Sequence, residues 1–196
     1  MRRPRTKPAD ERREEIMTAA QGLFVANGVA ATSVEEITRG ADVAKGTFYL
    51  YFKSKEDVVA ALRERFVERL SSGIREAVAA QPDERWDLKL AAWAQSGLHG
   101  YLDSIELHDL VFYEHAPATH EGLGDNPIID HLSALLEAGS RADAWTVDDP
   151  RIAALFLFSG LHGVVDAARR PRARVPKRRL ARDLERLCFR TVGLRT

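Results

Sequence analysis

One cysteine, Cys188, stands in 196 residues. A single thiol excludes an intramolecular disulfide and fits a reducing compartment, so a cytoplasmic location is expected. Long hydrophobic runs are missing too. The longest strictly apolar stretch, Ile152 to Phe158, is far short of the ~20 residues that a membrane span needs. The basic opening Met1-Arg2-Arg3-Pro4-Arg5-Thr6-Lys7-Pro8 runs into Asp10-Glu11-Arg12-Arg13 with no apolar region behind it, unlike a secretory signal. Period-two alternation is absent, which argues against a sheet-built fold, and no internal repeat is evident. Neither a nucleophile–base pair nor a phosphate-cradling loop can be named, so nothing points to an enzyme. Net charge is lacking as well, since 29 Lys and Arg balance 29 Asp and Glu.

What is present is the composition of a folded domain, 45% hydrophobic and 30% charged. The zero net charge hides a strong asymmetry. Through Lys55, ten basic residues face seven acidic ones. Residues 103–150 hold eleven acids and only Arg141. From Arg169 to Arg190 the sign reverses, with ten Arg or Lys against Asp183 and Glu185. A basic head, an acidic middle and a basic C-terminal helix are the expectation, the last lying against acidic surface.

Apolar spacing predicts helices almost throughout. The first runs from about Asp10 to Asn27, with Ile16, Ala20, Leu23 and Phe24 inward and Asn27-Gly28 as its stop. Thr32-Ser33-Val34-Glu35-Glu36 offers a capping box twice over, each hydroxyl residue having a carboxylate three positions on. The short helix that follows breaks near Gly40-Ala41-Asp42, and another begins after Val43. Ser54 caps a long fourth helix striped by Val59, Leu62, Phe66, Leu70, Ile74 and Val78. Beyond Gln81-Pro82-Asp83, helices are predicted with Trp86, Leu90, Trp93, Gly97 and Tyr101 on one face, over 105–115, from about Pro127, from Pro150, and through Leu180, Leu184, Leu187 and Cys188. Residues 116–126 read as irregular. The helix from Pro150 is apolar all round, so it should be covered on two sides, by core and by a partner subunit. The fold class is all-α with about nine helices. A basic arm over 1–9, expected to be disordered, precedes a tri-helical helix-turn-helix domain over 10–55 and a helical domain over 56–196.

Two short helices with a tight connection, preceded by a stabilising third, form a helix-turn-helix, whose second short helix enters the major groove. In that helix Gly46 allows close backbone approach, while Lys45 and Thr47 can reach phosphates or base edges. Tyr49 and Tyr51 are expected to offer hydroxyls on the exposed side, with Phe48 and Phe52 as core anchors. Lys53 and Lys55 are placed for phosphates. Thr32 and Ser33, at the start of the first short helix, and Arg39 near its end complete the expected DNA contacts.

The stretch Gly28-Val29-Ala30-Ala31-Thr32-Ser33-Val34-Glu35-Glu36-Ile37, followed by Gly40-Ala41-Asp42-Val43-Ala44-Lys45-Gly46-Thr47-Phe48-Tyr49-Leu50-Tyr51-Phe52-Lys53-Ser54-Lys55, closely resembles the DNA-binding signature of the TetR family. The likeness covers about residues 12–58. Asp42 departs from the glycine that the family commonly has in the turn, but aspartate tolerates the left-handed conformation. Thr38-Arg39-Gly40 replaces the usual Ala-rich stretch. The resemblance implies a homodimeric transcriptional regulator, a ligand-responsive repressor on a palindromic operator, whose last two helices pair between subunits and whose middle helices enclose a small-molecule pocket. On that footing Phe156, Phe158, Leu184 and Leu187 are expected at the dimer interface. Trp93, His99, Phe112, Tyr113 and His162 are expected at the pocket, with no cofactor or metal required. Two alternatives stay open: an all-α enzyme or metal-binding protein that carries a helix-turn-helix, and a constitutive DNA-binding regulator without an inducer.

Several features have plainer readings. The arm Arg2 to Lys7 is either a solubilising tail or a minor-groove contact. Basic residues over 169–177 fit a solvated loop better than a second DNA site. His108, His115, His120 and His131 lack the short helical spacings of metal ligands. Cys188 reads as core.

Overall fold

In a computed structural model the described residues are 8–114, 126–168 and 176–194. Among them the chain is helical and no strand occurs. The helices are α1 (Ala9–Asn27), α2 (Val34–Gly40), α3 (Lys45–Tyr51), α4 (Lys55–Ala79), α5 (Trp86–Asp103), α6 (Ile105–Asp109), α7 (Pro127–Arg141), α8 (Pro150–Ala168) and α9 (Lys177–Thr191). A π-helical turn, Leu110–Glu114, follows α6. The arm over 1–7, the segment 115–125 with His115 and His120, and the linker residues 169–175 lie outside the described residues.

The chain forms two compact units. The described part of the first comprises residues 8–66 and 105–114, and that of the second 67–104, 126–168 and 176–194. The core of the first unit gathers Ile16, Met17, Ala20 and Phe24 from α1, Ile37 from α2, Phe48 and Phe52, then Val58, Val59 and Leu62 from α4. Leu110 and Val111 join it from the π turn. Here the periodic expectation of one helix over 105–115 needs correcting, because the α-helical part ends at Asp109. The widened turn turns the Val111 carbonyl toward Arg63, whose Nε and Nη2 donate to it at 3.0 and 2.8 Å. A guanidinium that satisfies the carbonyl offsets the ladder bond lost where a π turn interrupts the helix.

In the second unit α7 packs on α8, and α5 packs on both α8 and α9. Its core is apolar and depends on small residues facing large ones. A Cβ at Gly139 would lie 2.1 Å from the Trp145 ring, and one at Gly100 2.4 Å from Leu70. The chain returns Trp145 to α7 through Asp143, a left-handed residue at φ 55°. Ala144 N donates to Gly139 O at 2.9 Å and Asp143 N to Ser140 O at 3.2 Å, which closes the helix in a Schellman motif. Trp145 Nε1 then donates to Leu136 O at 2.8 Å. Cys188 is buried in this unit as expected, and burial pushes its thiol up to about 12. The basic last helix meets an acid of α5 where Lys177 Nζ lies 3.0 Å from the Asp103 carboxylate.

Candidate nucleic-acid interface

Each end of α2 is fixed by its own sequence. Ser33 caps the start: its Oγ accepts from Glu36 N at 3.2 Å, and Ser33 N donates to the Glu36 carboxylate at 2.7 Å. The Ser33 N–H and the Ser33 hydroxyl, which also donates to the carboxylate at 2.7 Å, hold the Glu36 carboxyl below the usual carboxylate range. Of the two possible boxes only this one forms. Thr32 is buried instead, its Oγ1 donating to Gly28 O at 2.9 Å. The other end closes at Asp42, left-handed at φ 52°, as its tolerance for that region foresaw. Val43 N donates to Thr38 O at 2.9 Å and Asp42 N to Arg39 O at 3.3 Å. This Schellman closure sets the angle at which α3 departs.

Buried aromatics anchor α3, with Phe48 and Phe52 exposed by 0% and 3%. Their rings lie 5.9 Å apart, and Arg13 stands over the Phe52 ring at 5.3 Å. The remaining faces look outward. Lys45, Gly46 and Tyr49 are exposed and Thr47 half-buried. Leu50, a residue that the motif reasoning passed over, is 80% exposed. Helical spacing holds the signal that would have found it, because Leu50 sits opposite Phe48. No side chain caps the start of α3 at Ala44.

The expected DNA contacts divide on these coordinates. Arg39 on α2, Lys45, Gly46 and Tyr49 on α3, and Lys53 in the link to α4 are all exposed. Lys45 pairs with Glu35, which raises the lysine and lowers the glutamate from their ordinary values, the hydrogen bond between them being the main cause. Both side chains are well exposed, and a surface pair of that kind yields readily to another anion. Three residues need correcting. Lys55 does not reach outward: its Nζ donates to Val29 O and Thr32 O at 2.6 Å each, and it tethers the α1–α2 loop to α4. Thr32 is spent on its own carbonyl contact. Tyr51 packs against the core where an exposed hydroxyl face was expected. Ser33 is exposed but serves its cap.

The remaining candidates fall in two units. Phe112 and Tyr113 belong to the first, beside Phe66 and His108: the Phe112 ring is 4.9 Å from His108, and Tyr113 is 57% exposed. Trp93, His99 and His162 belong to the second. Trp93 is fully buried and its Nε1 has no hydrogen-bond partner among the described residues, whereas His99 is exposed and so cannot line an enclosed cavity. His162 stacks near Phe158 and Tyr101, at 4.3 and 4.9 Å, and burial lowers its pKa. Among the expected interface residues, Phe156 and Leu187 are exposed at 66% and 51%, joined by Ile152 at 64%. Phe158 is half-buried. Leu184 is corrected to core, at 3% exposure. Among the described residues no group of three or more His, Cys, Asp or Glu is arranged to hold a metal. No helix searched is long and apolar enough to cross a membrane.

A short helix held by two aromatics, presented by a capped and Schellman-closed partner, is a helix-turn-helix DNA-binding domain. Residues 16–62 match the family model described as "Bacterial regulatory proteins, tetR family". That segment is similar throughout to the DNA-binding part of this family. It is 37% identical over 108 residues to the HTH-type transcriptional activator FasR of Mycolicibacterium smegmatis, a match that covers 55% of this chain and 46% of the relative. It is 35% identical over 88 residues to the HTH-type transcriptional repressor KstR2 of Rhodococcus jostii, covering 42% and 43%. The matches thus span less than half of these relatives' length. A solved tetR-family regulatory protein from Rhodococcus RHA1 shares the fold with a TM-score of 0.71 at 22% identity, over 95% of this chain and 99% of that one.

Proposed function

We propose that the protein is a transcriptional repressor that binds a two-fold operator as a homodimer and is released by a small-molecule effector held in the second unit. The observation that carries this reading is the exposed α3 face of Lys45, Gly46, Tyr49 and Leu50 inside the segment that matches the family model. Two copies of α3 would enter successive major grooves, with half-sites about one helical turn (~34 Å) apart. Lys45 would exchange Glu35 for phosphate, while Arg39 and Lys53 add charge around the helix. No chemical step and no resident cofactor or metal belong to this function, and binding to chromosomal DNA would place it in the cytoplasm.

Ile152 and Phe156, exposed one turn apart on α8, and Leu187, exposed on α9, support dimerisation, since surface apolar side chains gain by burial against a second copy. For the effector, support comes from the second unit's apolar core and its unpartnered Trp93 N–H, a combination of greasy wall and single donor typical of ligand sites.

The test is binding of the full chain to DNA of its own promoter region at several salt concentrations. Steep loss of affinity with rising salt is expected, because lysines and arginines displace condensed counterions. Lys45→Ala and Tyr49→Ala should each weaken it. Salt-insensitive binding, or variants that bind as well as the parent, would refute the assignment of α3. Effector action is checked by titrating small apolar molecules against the complex and following release.

A further inference from the structure

The outward face of α3 carries two features that the chain's own packing does not call for. With Phe48 and Phe52 turned inward, helical geometry puts Gly46 and Leu50 on the opposite side, one turn apart. A Cβ added at Gly46 would meet nothing within 4 Å, and its φ is not left-handed. The fold therefore has no use for glycine there, although glycine weakens a helix. Leu50, at 80%, is the most exposed large hydrophobic side chain among the described residues. Arg39 on α2, Lys45 on α3 and Lys53 just after it are also exposed, and these cations suit a polyanion better than an apolar protein surface.

Both features fit a surface that comes close at Gly46 and turns apolar at Leu50. On the base edges of the major groove the apolar group is the C5 methyl of thymine, and every other feature there is a donor or an acceptor. We propose that Leu50 is a specificity-determining residue: it packs on the methyl of one thymine in each half-site, where Gly46 lets α3 settle into the groove. The inference rests on the DNA-binding function proposed above and adds to it a base and a residue.

The test starts from duplexes that the full chain selects from a random-sequence pool. Each selected duplex is remade with deoxyuridine for thymidine, one position at a time, which removes the methyl and nothing else. One position per half-site should then bind about fourfold more weakly, the ratio that corresponds to ~0.8 kcal/mol for one buried carbon. Leu50→Ala should be indifferent to the swap at that position. Leu50 is exposed, so the variant should melt with the parent, and a melting curve checks this. If no deoxyuridine swap matters to the parent while Leu50→Ala weakens binding, Leu50 lies against sugar and the proposal is overturned. A swap that costs both proteins equally overturns it too, because another residue then reads the methyl. A pool from which no duplex is enriched overturns the DNA-binding function itself, and this proposal with it.

Discussion

The two units meet their packing demands by different chemistry. In the first, cationic side chains reach inward and satisfy backbone carbonyls: Lys55 holds Val29 and Thr32, and Arg63 holds Val111. Arg65 adds Glu14 at 2.7 Å and Gln21 at 2.7 Å on α1. The second unit relies on glycines that receive bulky neighbours, Gly139 under Trp145 and Gly100 under Leu70. It also leaves Trp93 Nε1, His131 Nδ1 and Ser140 Oγ buried without partners. The ties of the first unit hold its loops and turns to its helices in one geometry, which suits reading DNA. Unspent donors in an apolar core cost stability, and a ligand with acceptors can recover that cost.

The largest test of this contrast is Gly139→Ala, which drives a methyl into the Trp145 ring and should cost about 2–3 kcal/mol. A thermal melt would show it, and a melting temperature equal to the parent's would show that Trp145 is not held. Lys55→Met should cost about 2 kcal/mol, the scale of a charged hydrogen-bonding group lost to buried carbonyls. In a DNA-binding assay its slope of log affinity against log salt should match the parent's, whereas a phosphate-binding lysine would lower the slope by about one. The two buried indoles offer a paired comparison. Trp145→Phe removes a hydrogen bond to Leu136 O that Trp93→Phe does not have, so it should be the more destabilising by about 1 kcal/mol in urea titrations.

Ser33→Ala should cost about 1 kcal/mol through the lost cap of α2. Its pH dependence carries a sign. Glu36 has a lowered carboxyl in the folded state, so its stabilising effect is complete above the ordinary carboxylate pKa and fades as pH falls through the folded value. The parent should therefore lose its margin over Ser33→Ala on the acid limb, below about pH 4. His131 and His162, lowered chiefly by burial, act earlier: the second unit should begin to lose stability as pH falls past about 6.5. The smallest effect is also the most pointed. Gly46→Ala should stabilise the free protein by about 0.5–1 kcal/mol, because the added methyl meets open space, and it should weaken DNA binding. A variant that gained stability and kept its affinity would remove close approach at Gly46 from the account.

Much of the first unit was legible in advance because its signals are local. Ser33 and Glu36 lie three residues apart, Asp42 tolerates the left-handed turn, and Phe48 and Phe52 share one helical face. Lys55 misled for the converse reason. A lysine beside a DNA-reading helix suggests phosphate, and only the fold reveals that the carbonyls of Val29 and Thr32, more than twenty residues earlier, surround its ammonium. Leu184 and Leu187 are alike as sequence, both apolar on one amphipathic helix, yet the first is core and the second is surface.

By itself, then, the sequence determined the all-α class and the helix boundaries around the turn, since each depends on residues within about one or two helical turns of one another. Tertiary structure decided which polar groups are spent and which remain to meet a partner. That outcome depends on contacts between residues distant in the chain: Lys55 is consumed, Thr32 is buried, the Trp93 N–H is left over, and Leu50 stands out where nothing among the described residues covers it.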